Sequence, residues 1–197
     1  MSILLAVKKN NTVYMATDTR EIVSGNKRNN LCEASFKIQK QDNGMLVGIT
    51  GDRFTRQTLF ANSDVFTLNK KGKLTKKHIV TEIVPQIIDL LDAHGMLMQN
   101  EDGFIGMKAR IILAYQESMF EICAGFLVIK YEDVQALGEA SSGAEVVLFN
   151  SKPDDDVEER LIRALDVASK YCLTVGEPYL LINTKDLEYT VVKGDKR

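Results

Sequence analysis

The sequence predicts an α+β sandwich, with two mainly antiparallel sheets packed face to face and a helix pair on each outer side (four layers, αββα). Three observations carry that expectation. Strand-like segments come in groups and so do helical ones, in the order strands, two helices, strands, two helices, two strands. Such grouping argues against a doubly wound parallel sheet, where strands and helices alternate. Second, Ile3–Val7 is apolar without interruption, as a strand buried on both faces requires. Third, the 197 residues, 45% hydrophobic, show no internal repeat and no linker composition, so residues 1–197 read as one domain.

The elements follow in order. Lys9-Asn10-Asn11-Thr12 supplies turn chemistry between Ile3–Val7 and Val13–Ala16, which predicts a hairpin. From Thr19 to Ser35 the text is polar, a long loop or an irregular hairpin. Phe36–Gln39 and Met45–Ile49 read as a second strand pair across Gln41–Gly44. A helix begins near Asp52 and carries Phe54, Thr58, Leu59, Val65 and Phe66 at helical spacing. The next starts at the N-cap Thr75, with an apolar stripe from Ile79 to Leu91 and an extent up to Met98. Pro85 removes one backbone donor inside it and is expected to bend it. Four strands (Ala109–Tyr115, Met119–Ala124, Phe126–Lys130, Val134–Gly138) precede helices over Ser141–Asn150 and Asp154–Lys170. Pro153 and the acidic run Asp154–Asp156 suit the start of the second. Tyr179–Asn183 and Leu187–Val192 close the chain as a strand pair.

Composition excludes several function classes. Lys+Arg 25 against Asp+Glu 27 leaves a net charge of −2, so neither nucleic acid nor an anionic membrane is expected as partner. No apolar run reaches the roughly 18–20 residues of a membrane helix, and the start lacks the basic region of a signal peptide, which predicts a cytoplasmic protein. Cys32, Cys123 and Cys172 are odd in number and form no CxxC, so reduced thiols are expected. His78, read as exposed on its helix, and His94 near the end of that helix have no second ligand at metal spacing. No Walker loop, no GxGxxG after a strand and no GxSxG occurs. Neither metal nor cofactor is expected.

The opening strand is the remaining clue. If Met1 is removed, Ser2 becomes both N-terminus and hydroxyl nucleophile. A free α-amino group, with a pKa of about 7.7–8.0, is partly unprotonated near neutral pH and can act as base for that hydroxyl without histidine. The bland alternative is that serine is simply a common second residue. A retained Met1 would block the proposed base.

Ser2–Asn10 with Val13-Tyr14-Met15-Ala16-Thr17-Asp18 resembles the opening of proteasome β-type subunits and of the bacterial proteasome-like peptidase of the heat-shock locus. Phe36-Lys37-Ile38, the stretch Leu46–Asp52 with Thr58-Leu59, Ala136-Leu137-Gly138 and Ala164–Ala168 resemble later segments of that family in the same order. The resemblance implies an N-terminal-nucleophile hydrolase acting on peptide or unfolded-protein substrates, built as a homo-oligomeric ring, with an ATPase as possible partner. It places Ser2 at the nucleophile, Asp18 at the acid that orients a lysine, Lys37 at that lysine, and Gly51 at the oxyanion-binding glycine. Serine replaces the usual threonine. Glu139 stands where the family has a second serine, unless Ser141 or Ser142 takes its place, and Lys170 stands where it has a supporting aspartate. Glu139 is expected to pair with Lys37. The departures keep two rivals open, a catalytically inactive ring or scaffold subunit and a hydrolase of small amides.

Overall fold

The computed structural model describes residues 3–23, 26–29, 31–32, 36–99, 101–152 and 154–193. β1 (Ile3–Lys9) and β2 (Thr12–Asp18) form the expected hairpin. Its turn places Asn10 and Asn11 at φ 49° and 60°, the left-handed region that asparagine tolerates better than most residues. β1 also pairs with β12 (Val134–Gly138), and β2 with β13 (Tyr179–Asn183), which carries β14 (Thr190–Val192) on its edge. In the second sheet β5 (Ile38–Lys40) pairs with β6 (Leu46–Gly51), followed by β9 (Ala109–Tyr115), β10 (Ser118–Ile122) and β11 (Val128–Tyr131). Every ladder in both sheets is antiparallel, as expected.

Three apolar layers hold the sheets and helices together. Leu4, Ala6 and Met15 meet Leu46, Ile112 and Met119 between the sheets. The other face of β1 (Ile3, Leu5, Val7) packs on α4 (Ser141–Asn150) and α5 (Val157–Tyr171) through Leu148, Leu161 and Leu165. β1 is thus buried on both faces, which its unbroken apolar run requires. The outer face of the second sheet is covered by α1 (Arg53–Ala61), α2 (Lys76–His78) and α3 (Val84–Ala93), with Leu59, Ile79, Ile83 and Ile87 in the shared core.

Several boundaries differ from the sequence reading. The polar stretch after Asp18 contains a hairpin, β3 (Arg20–Val23) with β4 (Asn26–Asn29). α1 stops at Asn62, whose amide and side chain both donate to the Thr58 carbonyl. Val65 and Phe66 therefore reach the core from a separate short turn. Between α2 and α3 the backbone makes one π turn over Ile79–Ile83, just before Pro85. A π turn there accommodates the donor that proline lacks. The helix ends at Ala93, and Met98–Gln99 (β7) pairs instead with Ile105–Gly106 (β8). Phe126 precedes its strand, at φ 62°, and Leu187 precedes the last strand, at φ 55°. α5 starts later than expected, capped by the Asp156 side chain on the Glu159 amide, and Pro153 lies outside the described residues. His78 is half-buried rather than exposed, its Nε2 in contact with the hydroxyl and carbonyl of Thr67. No helix among the described residues is long and apolar enough to cross a membrane.

At Gly48 the second sheet lies directly against side chains of the first. A Cβ there would lie 2.6 Å from Leu4 Cδ2 and 2.7 Å from Met15 Cε. Gly48→Val should therefore destabilise the fold by about 1–3 kcal/mol through overpacking. Urea denaturation checks this, and wild-type stability in the variant would mean that the sheets can part at that point.

Candidate active site

The site forms where β1 begins. Because β1 and β2 are antiparallel, Ile3 lies beside the end of β2, and its other neighbour is Gly138 at the end of β12. Asp18, the last residue of β2, is fully buried. Its Oδ1 accepts the Ile3 N–H at 3.2 Å and the Lys37 ammonium at 2.7 Å. Lys37 Nζ also donates to the Arg20 carbonyl at 3.0 Å. Thr17 Oγ1 donates to the Ile3 carbonyl at 2.6 Å. The Ile3 N–H belongs to the peptide bond joining Ser2 to Ile3, so a single carboxylate oxygen couples that bond to a buried cation. Asp18 Oδ2 is buried with no hydrogen-bond partner among the described residues.

Lys37 is only 3% exposed. Burial pushes its ammonium below the usual lysine value, the Asp18 charge and hydrogen bond oppose that, and the nearby Arg56 adds to the lowering. Arg56 is itself buried and donates to Glu21 Oε1 at 3.1 Å, with Arg53 3.4 Å from Glu21 Oε2. Burial lowers the Arg56 pKa as well, against the opposing charge of Glu21.

Gly51 ends β6, on the strand next to Lys37, whose carbonyl accepts the Ile49 amide. Its φ is +113°, and a Cβ would sit 2.8 Å from Ala109 Cα and closer still to the Lys108 carbonyl oxygen. Only glycine fits both constraints. Asp52 follows as the N-cap of α1, accepting the Thr55 amide at 2.8 Å, and this bond holds its carboxyl below the ordinary value.

Glu139 comes directly after Gly138, the partner of Ile3, and so borders the site. The expected pairing of Glu139 with Lys37 does not form. Glu139 Oε2 accepts from the Thr174 hydroxyl at 2.8 Å and from the Cys172 thiol at 3.4 Å, while Lys37 is taken by Asp18. Ser141 and Ser142 open α4. Lys170 is exposed in the last turn of α5, on the wall of a cavity of about 850 Å³ that also holds Arg20, Asp166 and Glu177. Ser2 lies outside the described residues. Sequence reasoning missed Thr17, Arg20 and the Glu21–Arg56 pair. Their signal was weak but present, since four polar residues flank Asp18 within three positions.

The fold matches solved structures along nearly the whole chain. BPH from Thiobacillus denitrificans, in complex with epoxomicin, is 19% identical with a TM-score of 0.71 over 94% of this chain and 99% of that one. Eukaryotic HslV from Trypanosoma brucei is 15% identical with a TM-score of 0.66 over 92% and 98%. The Anbu (Gly-1) mutant from Hyphomicrobium sp. strain MC1 is 14% identical with a TM-score of 0.72 over 99% and 88%. No family model matches the sequence, and no curated protein matches it. The chain therefore shares the fold of these structures, the layered α+β sandwich expected from its sequence.

Two outcomes follow from the buried pair. Asp18→Asn leaves the Lys37 charge without its partner and should cost about 3–5 kcal/mol of stability, read by denaturant unfolding. The folded pKa of Lys37 lies below the unfolded value of 10.5. Between the two the unfolded chain binds more protons, so stability from this group rises with pH up to about 10.5. Wild type should gain stability over Lys37→Met as pH increases from 8 to 10; equal slopes in the two proteins would refute the assignment.

Proposed function

We propose that the chain is a peptide-bond hydrolase whose nucleophile is Ser2, exposed as the N-terminus by removal of Met1. The carrying observation is the shared Asp18 Oδ1, which binds both the Ile3 amide and the Lys37 ammonium in a buried setting. In the proposed reaction the α-amino group of Ser2 takes the Ser2 hydroxyl proton as Oγ attacks the substrate carbonyl. The Gly51 N–H stabilises the oxyanion. The C–N bond breaks, the α-ammonium returns its proton to the leaving amine, and an ester on Ser2 remains. Water, deprotonated by the same amine, then hydrolyses the ester. Lys37 lowers the proton affinity of the nucleophile through its charge, and Asp18 orients it. Glu139 borders the site and fixes the turn after α5 through Thr174. Peptides or unfolded proteins are the proposed substrates, and no metal or cofactor takes part. A cytoplasmic homo-oligomeric ring, with an ATPase as possible partner, is the proposed setting.

One observation favours a second reading, a non-catalytic ring subunit. Glu139, which the resemblance sets at the second serine position unless Ser141 or Ser142 takes its place, spends its carboxylate on Thr174 and Cys172.

The test is the intact mass of untagged protein with and without epoxomicin, the ligand of the Thiobacillus protein. The expected result is loss of Met1 and a single adduct on Ser2 that disappears in Ser2→Ala. Retained Met1 with no adduct would overturn the hydrolase and leave the scaffold.

A further inference from the structure

We infer that the Arg20 side chain is a positioning residue for Lys37, locking the turn between α5 and β13 against the lysine's second hydrogen-bond acceptor. This rests on the hydrolase reading above and adds a residue outside it. Arg20 acts through both its ends. Its backbone carbonyl accepts Lys37 Nζ at 3.0 Å. Its guanidinium donates from Nη1 to the carbonyls of Val175 at 2.8 Å and Leu173 at 3.3 Å.

Neighbouring contacts support the clamp. The amide and hydroxyl of Thr19 both donate to the Pro178 carbonyl, at 3.2 and 2.8 Å. Residues 19 and 20 are therefore tied at four points to the segment from Leu173 to Pro178. Thr174 of that segment holds Glu139, which adjoins the strand partner of Ile3. The guanidinium lies over Gly176 so closely that any Cβ there would overlap it, being 2.6 Å from Arg20 Nε and nearer still to Cζ. The φ of Gly176 is outside the left-handed region, so alanine suits its backbone, and the three atoms nearest to its Cβ all belong to the guanidinium. Two variants can thus disturb one clamp from opposite sides. Truncating Arg20 enlarges an open, polar cavity instead of creating an apolar void, so the fold should tolerate it.

The physical effect is on an acceptor of a buried cation. Lys37 faces Asp18 of β2, Glu21 of β3 and Arg56 of α1. Among the described residues, Asp18 Oδ1 and the Arg20 carbonyl accept its protons. A carbonyl free to drift from Nζ removes one of two charge-assisted bonds, each of which favours the protonated lysine.

The experiment compares wild type with Arg20→Ala, Arg20→Lys and Gly176→Ala. Lys37 is titrated by ¹³C NMR at its Cε, assigned with Lys37→Met, and the rate of adduct formation with epoxomicin is followed against pH. Arg20→Ala and Gly176→Ala should lower the Lys37 midpoint and slow the adduct rate at saturating reagent about tenfold. The reagent concentration giving half-maximal rate should change little, and Arg20→Lys should recover part of the rate. An unchanged Lys37 midpoint in both Arg20→Ala and Gly176→Ala would overturn the inference, with or without a rate loss. If wild type forms no adduct, the hydrolase reading fails, and the Lys37 midpoint alone decides whether Arg20 positions the lysine.

Discussion

The structure is organised around one carboxylate oxygen. Asp18 Oδ1 binds the first described backbone amide and the one fully enclosed lysine ammonium of the site. Each of these groups would be expensive to bury alone, because a desolvated amide or cation without a partner loses its water bonds and gains nothing. Together they require β1, β2 and the strand entry at Lys37 to meet at one point. The two sheets must therefore be in fixed register as well as in contact. Gly48, flush against Leu4 and Met15, lets the sheets approach closely enough for that meeting.

Around this point the surroundings divide into a hard side and an adjustable side. Toward α1 lie Gly51, with backbone that only glycine adopts, and the capped helix start at Asp52. The Glu21–Arg56 pair behind them is buried as well. Toward α5 lie side chains reaching across turns: Arg20 onto two carbonyls, Thr174 onto Glu139, and the Tyr179 hydroxyl onto Asp166. Backbone geometry fixes the first side, whereas the carbonyl that accepts Lys37 depends on the second.

Much of this was legible in the residues because the relevant patterns are local. An unbroken Ile3–Val7 run states two-sided burial, and the grouping of strands states antiparallel sheets. Asp18, Lys37 and Gly51 could be picked out by their likeness to a known arrangement, and the fold joins the first two through a buried hydrogen bond. Features set by distant partners were not legible. The Glu139 carboxylate was expected on Lys37, but Thr174, 35 residues away, takes it instead. The end of α1 at Asn62 depended on side-chain bonding to Thr58 that competes with further helix, while Val65 and Phe66 kept helical spacing by coincidence of the turn that follows. Arg20 read as loop chemistry, because nothing in its neighbourhood announces carbonyls more than 150 residues on.

The sheet margins carry a different consequence. Three of the four outermost strands, β5, β11 and β14, are only three or four residues long, while β1, β2 and β9 inside the sheets have seven. Short margins offer few unpaired backbone groups to a passing strand, so the molecule presents a poor template for edge-to-edge growth into fibres.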